Sequence, residues 1–207
     1  ITPLAELTKI KSLRIYNCPN IKDIKPLSSL VELETLYLMH NDNYDYGDIA
    51  FLRNLKSLII DGDHSGEIDL SSIGQLPYVK FLTLGIGSAA KRIKNINELQ
   101  NLDRIETLTI SGAADLDLSW AADLHNLTTL NLNFCTVNDV SPLVNLPNLT
   151  EVDLTSSLIK DITPLSRGSS IKYVRVFEHE VEAGIDHNIR SRFHRKGIEL
   201  DTFYDYR

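Results

Sequence analysis

Residues 128–149 read TTLNLNFCTVNDVSPLVNLPNL, and they place apolar side chains at Leu130, Leu132, Cys135, Val137, Val140, Leu143, Leu146 and Leu149. Val152 restarts the pattern 22 residues after Leu130. The L-x-L step has the two-residue period of a strand, whose alternate side chains point to one side. The wider spacing that follows describes a turn and a return segment. A unit this short cannot bury its own apolar face, so copies must stack and share one continuous core. Any function then lies on the surfaces that the stack presents.

Taking the first residue of each L-x-L strand as an anchor gives Leu13, Leu36, Leu58, Leu82, Leu108, Leu130, Val152 and Val174. The intervals are 23, 22, 24, 26, 22, 22 and 22 residues, and the extra residues fall after the strand, where loops accept insertion. The longest unit carries the connector GSAAKRIKN. A second signature, D-I-x-P-L, occupies the return segment at Asp23–Leu27, Asp139–Leu143 and Asp161–Leu165. Degraded copies are Asp45-Tyr46, Asp69-Leu70, Asn95-Ile96 and Asp117-Leu118. The proline fixes φ and removes a donor, which starts a short 3₁₀ turn rather than a strand. The aspartate is expected to accept a backbone N–H at that turn, a structural role.

The paired L-x-L and D-I-x-P-L signals closely resemble the internalin-type leucine-rich repeats of bacterial surface proteins, over roughly residues 1–181. The resemblance implies an α/β solenoid, with parallel strands on a concave face and 3₁₀ turns on a convex one. It also implies a protein ligand held in the concave face, with an extracellular or bacterial-surface location; a cytoplasmic one stays open. The family's ladder asparagine survives only as Asn41; the equivalent positions hold Cys18, Asp63, Gly87, Ala113, Cys135, Ser157 and His179. Backbone contacts that an asparagine makes are therefore expected to be lost or replaced, loosening repeats four and five.

Residues 182–207 read differently. Ile185, Ile189 and Phe193 recur every four residues before a basic turn and Gly197, which is an amphipathic helix with a glycine stop. Ile198 and Leu200 then restore the L-x-L spacing, with Ile198 24 residues after Val174. This predicts a ninth strand and a C-terminal cap, so that residues 1–181 form eight repeats and residues 182–207 their cap within one domain. Nine strands at ~4.8 Å make a stack of roughly 40 Å. Ile1-Thr2-Pro3-Leu4 matches Ile162-Thr163-Pro164-Leu165, so residue 1 falls in mid-repeat and further sequence is expected upstream.

The net charge of −7 argues against binding nucleic acid or an anionic membrane surface. No apolar run approaches the ~18–20 residues of a membrane-spanning helix. Cys18 and Cys135 occupy equivalent positions five repeats apart, roughly 24 Å at one strand per repeat, too far for a disulfide. Both are expected to be small buried residues rather than reactive thiols. No cofactor motif, nucleophile elbow or phosphate loop is present, and His179-Glu180 fails to continue as H-E-x-x-H. An enzyme is not expected. Asp61, Asp63 and Ser65 begin like a calcium loop, but its twelfth position is Ser72 instead of glutamate, leaving a weak candidate beside an acidic rim.

The strand face is more informative. Residues flanking the buried pair point outward, and at the N-terminal end they are Tyr16, Tyr37, Met39, Ile59 and Phe81, flanked by Arg14 and Asp61. Tyr173 and Phe177 form a smaller aromatic pair at the other end, and the middle is small and polar. The expected function is a non-catalytic, monomeric protein-recognition module of a surface or secreted protein, binding a protein partner through these residues. Two alternatives are a regulatory or targeting repeat domain of a larger intracellular enzyme or effector, and a structural spacer.

Overall fold

The computed structural model describes residues 1–207 except 19, 22, 41–45, 62–67, 86–92 and 204–207. Nine strands form one parallel sheet in chain order: β1 (Ser12–Tyr16), β2 (Thr35–Met39), β3 (Ser57–Asp61), β4 (Phe81–Gly85), β5 (Thr107–Ser111), β6 (Thr129–Asn133), β7 (Glu151–Asp153), β8 (Tyr173–Phe177) and β9 (Glu199–Phe203). The register stacks like on like: Leu13, Leu36, Leu58, Leu82, Leu108, Leu130, Val152, Val174 and Leu200 form one ladder. All eight apolar residues of the 128–149 unit are at most 2% exposed. Truncating one such side chain to alanine costs about 2–5 kcal/mol, because neighbours on both sides lose contacts.

β7 is shorter than its neighbours for a local reason. The Asp153 carboxylate accepts the N–H of Thr155 at 3.0 Å and its hydroxyl at 2.8 Å, a turn that competes with the ladder. Most strands end in a residue of positive φ that turns the chain off the sheet: Asn17, His40, Gly112, Phe134 and Ser156. Asparagine and glycine accept that conformation readily; phenylalanine does not.

Short 3₁₀ turns line the convex side, among them Lys25–Ser29, Ser119–Asp123, Ser141–Asn145 and Thr163–Arg167. The expected aspartate role holds: Asp23, Asp139 and Asp161 accept the N–H two residues on at 2.7–2.8 Å. So do the degraded copies Asp69 and Asp117, at 2.9 Å. Asn95 departs from the pattern, since its amide donates back to Asp69 and Ser71 of the preceding unit at 2.9 and 2.8 Å.

The helix α1 (His187–Arg195) is capped by Asp186, whose carboxylate accepts the Ile189 N–H at 2.8 Å. Its core residue, Phe193, is fully buried. Gly197 has φ +68°, with Gly197 N–H donating to His194 and Ile198 N–H to Phe193, a Schellman closure. This closure shifts the last strand. Leu200, not Ile198, pairs with Val174, because Ile198 is held against α1, buried beside Phe193.

Candidate functional site

The sheet register resolves the outward side chains into three columns. The first runs Ser12, Thr35, Ser57, Phe81, Thr107, Thr129, Glu151, Tyr173, Glu199. The second runs Arg14, Tyr37, Ile59, Thr83, Thr109, Asn131, Asp153, Arg175, Asp201, and the third begins Tyr16, Met39, Asp61, Gly85, Ser111, Asn133. The apolar residues at the N-terminal end therefore do not share one column. Tyr16 and Met39 lie in the third, Tyr37 and Ile59 in the second and Phe81 in the first, which makes a diagonal across β1–β4. Tyr16 is 61% and Phe81 47% exposed, while Tyr37, Met39 and Ile59 are half-buried against their neighbours.

Two flanking contacts fix the diagonal. The Arg14 guanidinium lies over the Tyr37 ring at 4.6 Å, and Tyr16 meets His40 edge-on at 5.1 Å. Asp61 folds over the next strand, its carboxylate lying in the space that a side chain at Gly85 would enter.

At the other end, Tyr173 is exposed and Phe177 half-buried. Phe177 stacks on His179 at 5.8 Å and meets Phe203 edge-on at 6.1 Å. Phe203 is a member of this cluster that sequence reasoning missed, because an anchor at Ile198 puts it beyond the strand. Arg175 reaches Glu151 at 2.6 Å and Asp153 and Asp201 at 3.7 and 3.8 Å. Arg190 of α1 pairs with Glu178 at 2.5 Å and donates to Thr202 at 3.0 Å, tying the helix to β9.

The ladder substitutions are chemically specific. The buried Ser157 hydroxyl donates to Leu132 O at 2.8 Å and accepts Cys135 N–H at 2.9 Å. One unit earlier the Cys135 thiol makes the equivalent contact, to Ile110 O at 3.4 Å. Burial pushes the Cys135 thiol pKa up, so it stays protonated and unreactive, as expected. Cys18 is corrected: it is only half-buried, packed against the core in the unit of β1. Asparagines also bridge the units at another position. Asn54, Asn126 and Asn148 donate to carbonyls of the preceding return segment at 2.6–2.8 Å.

Asp63 and Ser65 of the calcium candidate, like Asn41, lie outside the described residues, and Asp61 closes β3. Among the described residues no group of three or more His, Cys, Asp or Glu could hold a metal ion. No helix among them is long and apolar enough to cross a membrane.

A family model described as leucine-rich repeats in two copies matches residues 125–167, around the stretch that sets the period. Internalin C2 of Listeria monocytogenes is similar in structure, with 27% identity, 83% of each chain covered and a TM-score of 0.63. The internalin InlF of the same organism is 25% identical, with all of this chain and 58% of that one covered and a TM-score of 0.79. A leucine-rich repeat protein of Leptospira interrogans is 19% identical, with 97% of this chain and 51% of that one covered and a TM-score of 0.78, a likeness of fold. The chain thus spans little more than half the length of the last two. No curated protein sequence matches it.

Proposed function

Starting from an internalin-like leucine-rich repeat solenoid, we propose that the chain is the protein-recognition module of a bacterial surface or secreted protein, holding a protein partner against its concave face. The observation that carries this reading is the diagonal of Tyr16, Met39, Tyr37, Ile59 and Phe81. None of these side chains belongs to the buried core, and the register sets them on neighbouring strands of one face, where a cluster of apolar side chains calls for a partner. The hydrogen-bonded sheet holds them in place before binding, so little ordering entropy opposes association. Tyrosine is frequent among binding hot spots, and methionine adapts to the shape it meets. The bacterial-surface setting is supported by the two internalins to which the chain is similar.

The test is a partner isolated by pull-down from a host cell-surface extract, followed by titration of the double variant Tyr37→Ala/Ile59→Ala. Its affinity should fall by about 2 kcal/mol or more, roughly thirtyfold. Stability should change by about 1 kcal/mol or less, as for other substitutions outside the core. Unchanged affinity, or a large loss of stability, would refute the assignment.

A further inference from the structure

The two ends of the concave face differ in charge. Rows β1–β4 present one outward cation, Arg14, and one outward carboxylate, Asp61, for no net charge. Rows β5 and β6 present none. Rows β7–β9 present four carboxylates, Glu151, Asp153, Glu199 and Asp201, against Arg175 alone, which leaves −3. All of the net charge of the described concave face is therefore concentrated on its last three strands.

The arrangement within those strands is more telling than the sum. In the second column, Arg175 sits between Asp153 and Asp201 on the neighbouring strands and also reaches Glu151. In the first column the same place, between Glu151 and Glu199, is held by the ring of Tyr173, which is 42% exposed. The Glu199 carboxylate makes no ion pair or hydrogen bond among the described residues. Adjacent strands lie ~4.8 Å apart, so a cation set over the Tyr173 ring meets a carboxylate on either side of it. At the other end of this face the chain itself shows the stacking geometry, with Arg14 over Tyr37 at 4.6 Å.

We infer that the concave face of β7–β9 docks a segment of a protein partner bearing arginine or lysine, with one cationic side chain over Tyr173 between Glu151 and Glu199. The inference rests on the reading that the concave face binds protein. It adds charge complementarity with a basic segment to the apolar contact at the diagonal. An exposed ring supplies cation–π attraction, and flanking carboxylates make the site selective against acidic segments. Further along the same two strands, past Arg175 and Asp201, Phe177 meets Phe203 edge-on, next to the tie of Arg190 to Thr202.

The test uses two labelled hexapeptides, alternating arginine–serine and alternating glutamate–serine, titrated by fluorescence anisotropy at roughly 50 and 300 mM salt. The arginine peptide should bind and the glutamate peptide should not, and the higher salt should weaken binding. Glu199→Gln with Tyr173→Leu should weaken the arginine peptide about fivefold or more. Arg175→Ala, which removes the competing internal cation, should strengthen it. The inference is overturned if the two peptides bind alike, or if Glu199→Gln/Tyr173→Leu leaves the affinity unchanged. Tyr37→Ala/Ile59→Ala should leave this peptide's affinity intact, so failure at the diagonal and failure here are read separately.

Discussion

Ser157→Ala tests whether the ladder position holds the stack together when asparagine is gone. The Ser157 hydroxyl is 1% exposed and serves two backbone groups, accepting from Cys135 N–H at 2.9 Å and donating to Leu132 O at 2.8 Å. Alanine fits the space but leaves both groups without this partner, away from water. Each unmade buried hydrogen bond costs about 1–3 kcal/mol, so a loss of about 2–4 kcal/mol is expected after partial relaxation. Urea unfolding followed by two probes measures it; at a slope of about 2–3 kcal/mol/M the midpoint should fall by roughly 1 M. Thr155→Ala, two residues away on the surface of the sheet, is the control and should cost far less. Ser157→Cys should recover most of the loss, because Cys135 makes the equivalent contact one unit earlier. A Ser157→Ala loss below about 0.5 kcal/mol would refute the reasoning, since it falls inside the range of ordinary surface substitutions.

Three further outcomes are expected. Truncation before Ile185 removes α1 and β9, uncovers the apolar end of the last repeat and leaves β8 as an unpaired edge; size-exclusion chromatography should show aggregation, and a stable soluble monomer would disprove the capping role. Phe193→Ala, at a fully buried site under that helix, should cost about 3–5 kcal/mol in thermal or urea unfolding. The Ser71 hydroxyl, the Asn95 amide and the Ser71 N–H hold the Asp69 carboxyl down to about 2 from an ordinary 3.8. A depressed folded-state pKa stabilises above the unfolded value, so the deficit of Asp69→Ala should be full above about pH 4 and vanish as the pH falls toward 2. A deficit independent of pH would show that Asp69 acts by packing.

The fold was legible where its determinants are local. Side-chain alternation in L-x-L and the fixed φ of Pro26, Pro142 and Pro164 belong to the residues themselves, so strands and convex turns could be placed from them. The last strand was not legible to the residue. Both Ile198 and Leu200 suit an anchor, and only the Schellman closure, which draws Ile198 back against Phe193, decides between them. Asn95 likewise reads as a degraded turn, yet its amide serves the preceding unit, a choice made by contact between repeats. In the site, which residues face outward followed from alternation alone. The stacking of Arg14 on Tyr37 and the reach of Arg175 depend on side-chain rotamers and were not readable.

The same register explains why irregular connectors need not disturb the surface. Leu58, Leu82 and Leu108 are separated by 24 and 26 residues instead of 22, yet they remain directly paired. The extra residues are absorbed after the strands, so Ile59, Thr83 and Thr109 stay in one column and Phe81 keeps its place on the diagonal. The concave face is therefore a grid, with ~4.8 Å between strands and about 6.6 Å between alternate residues along a strand. A partner meets side chains set on that grid, whatever lengths the loops behind it take. Insertions in the connectors should thus be neutral for recognition, whereas a one-residue shift within any strand would turn its outward residues into the core and its leucines into the site.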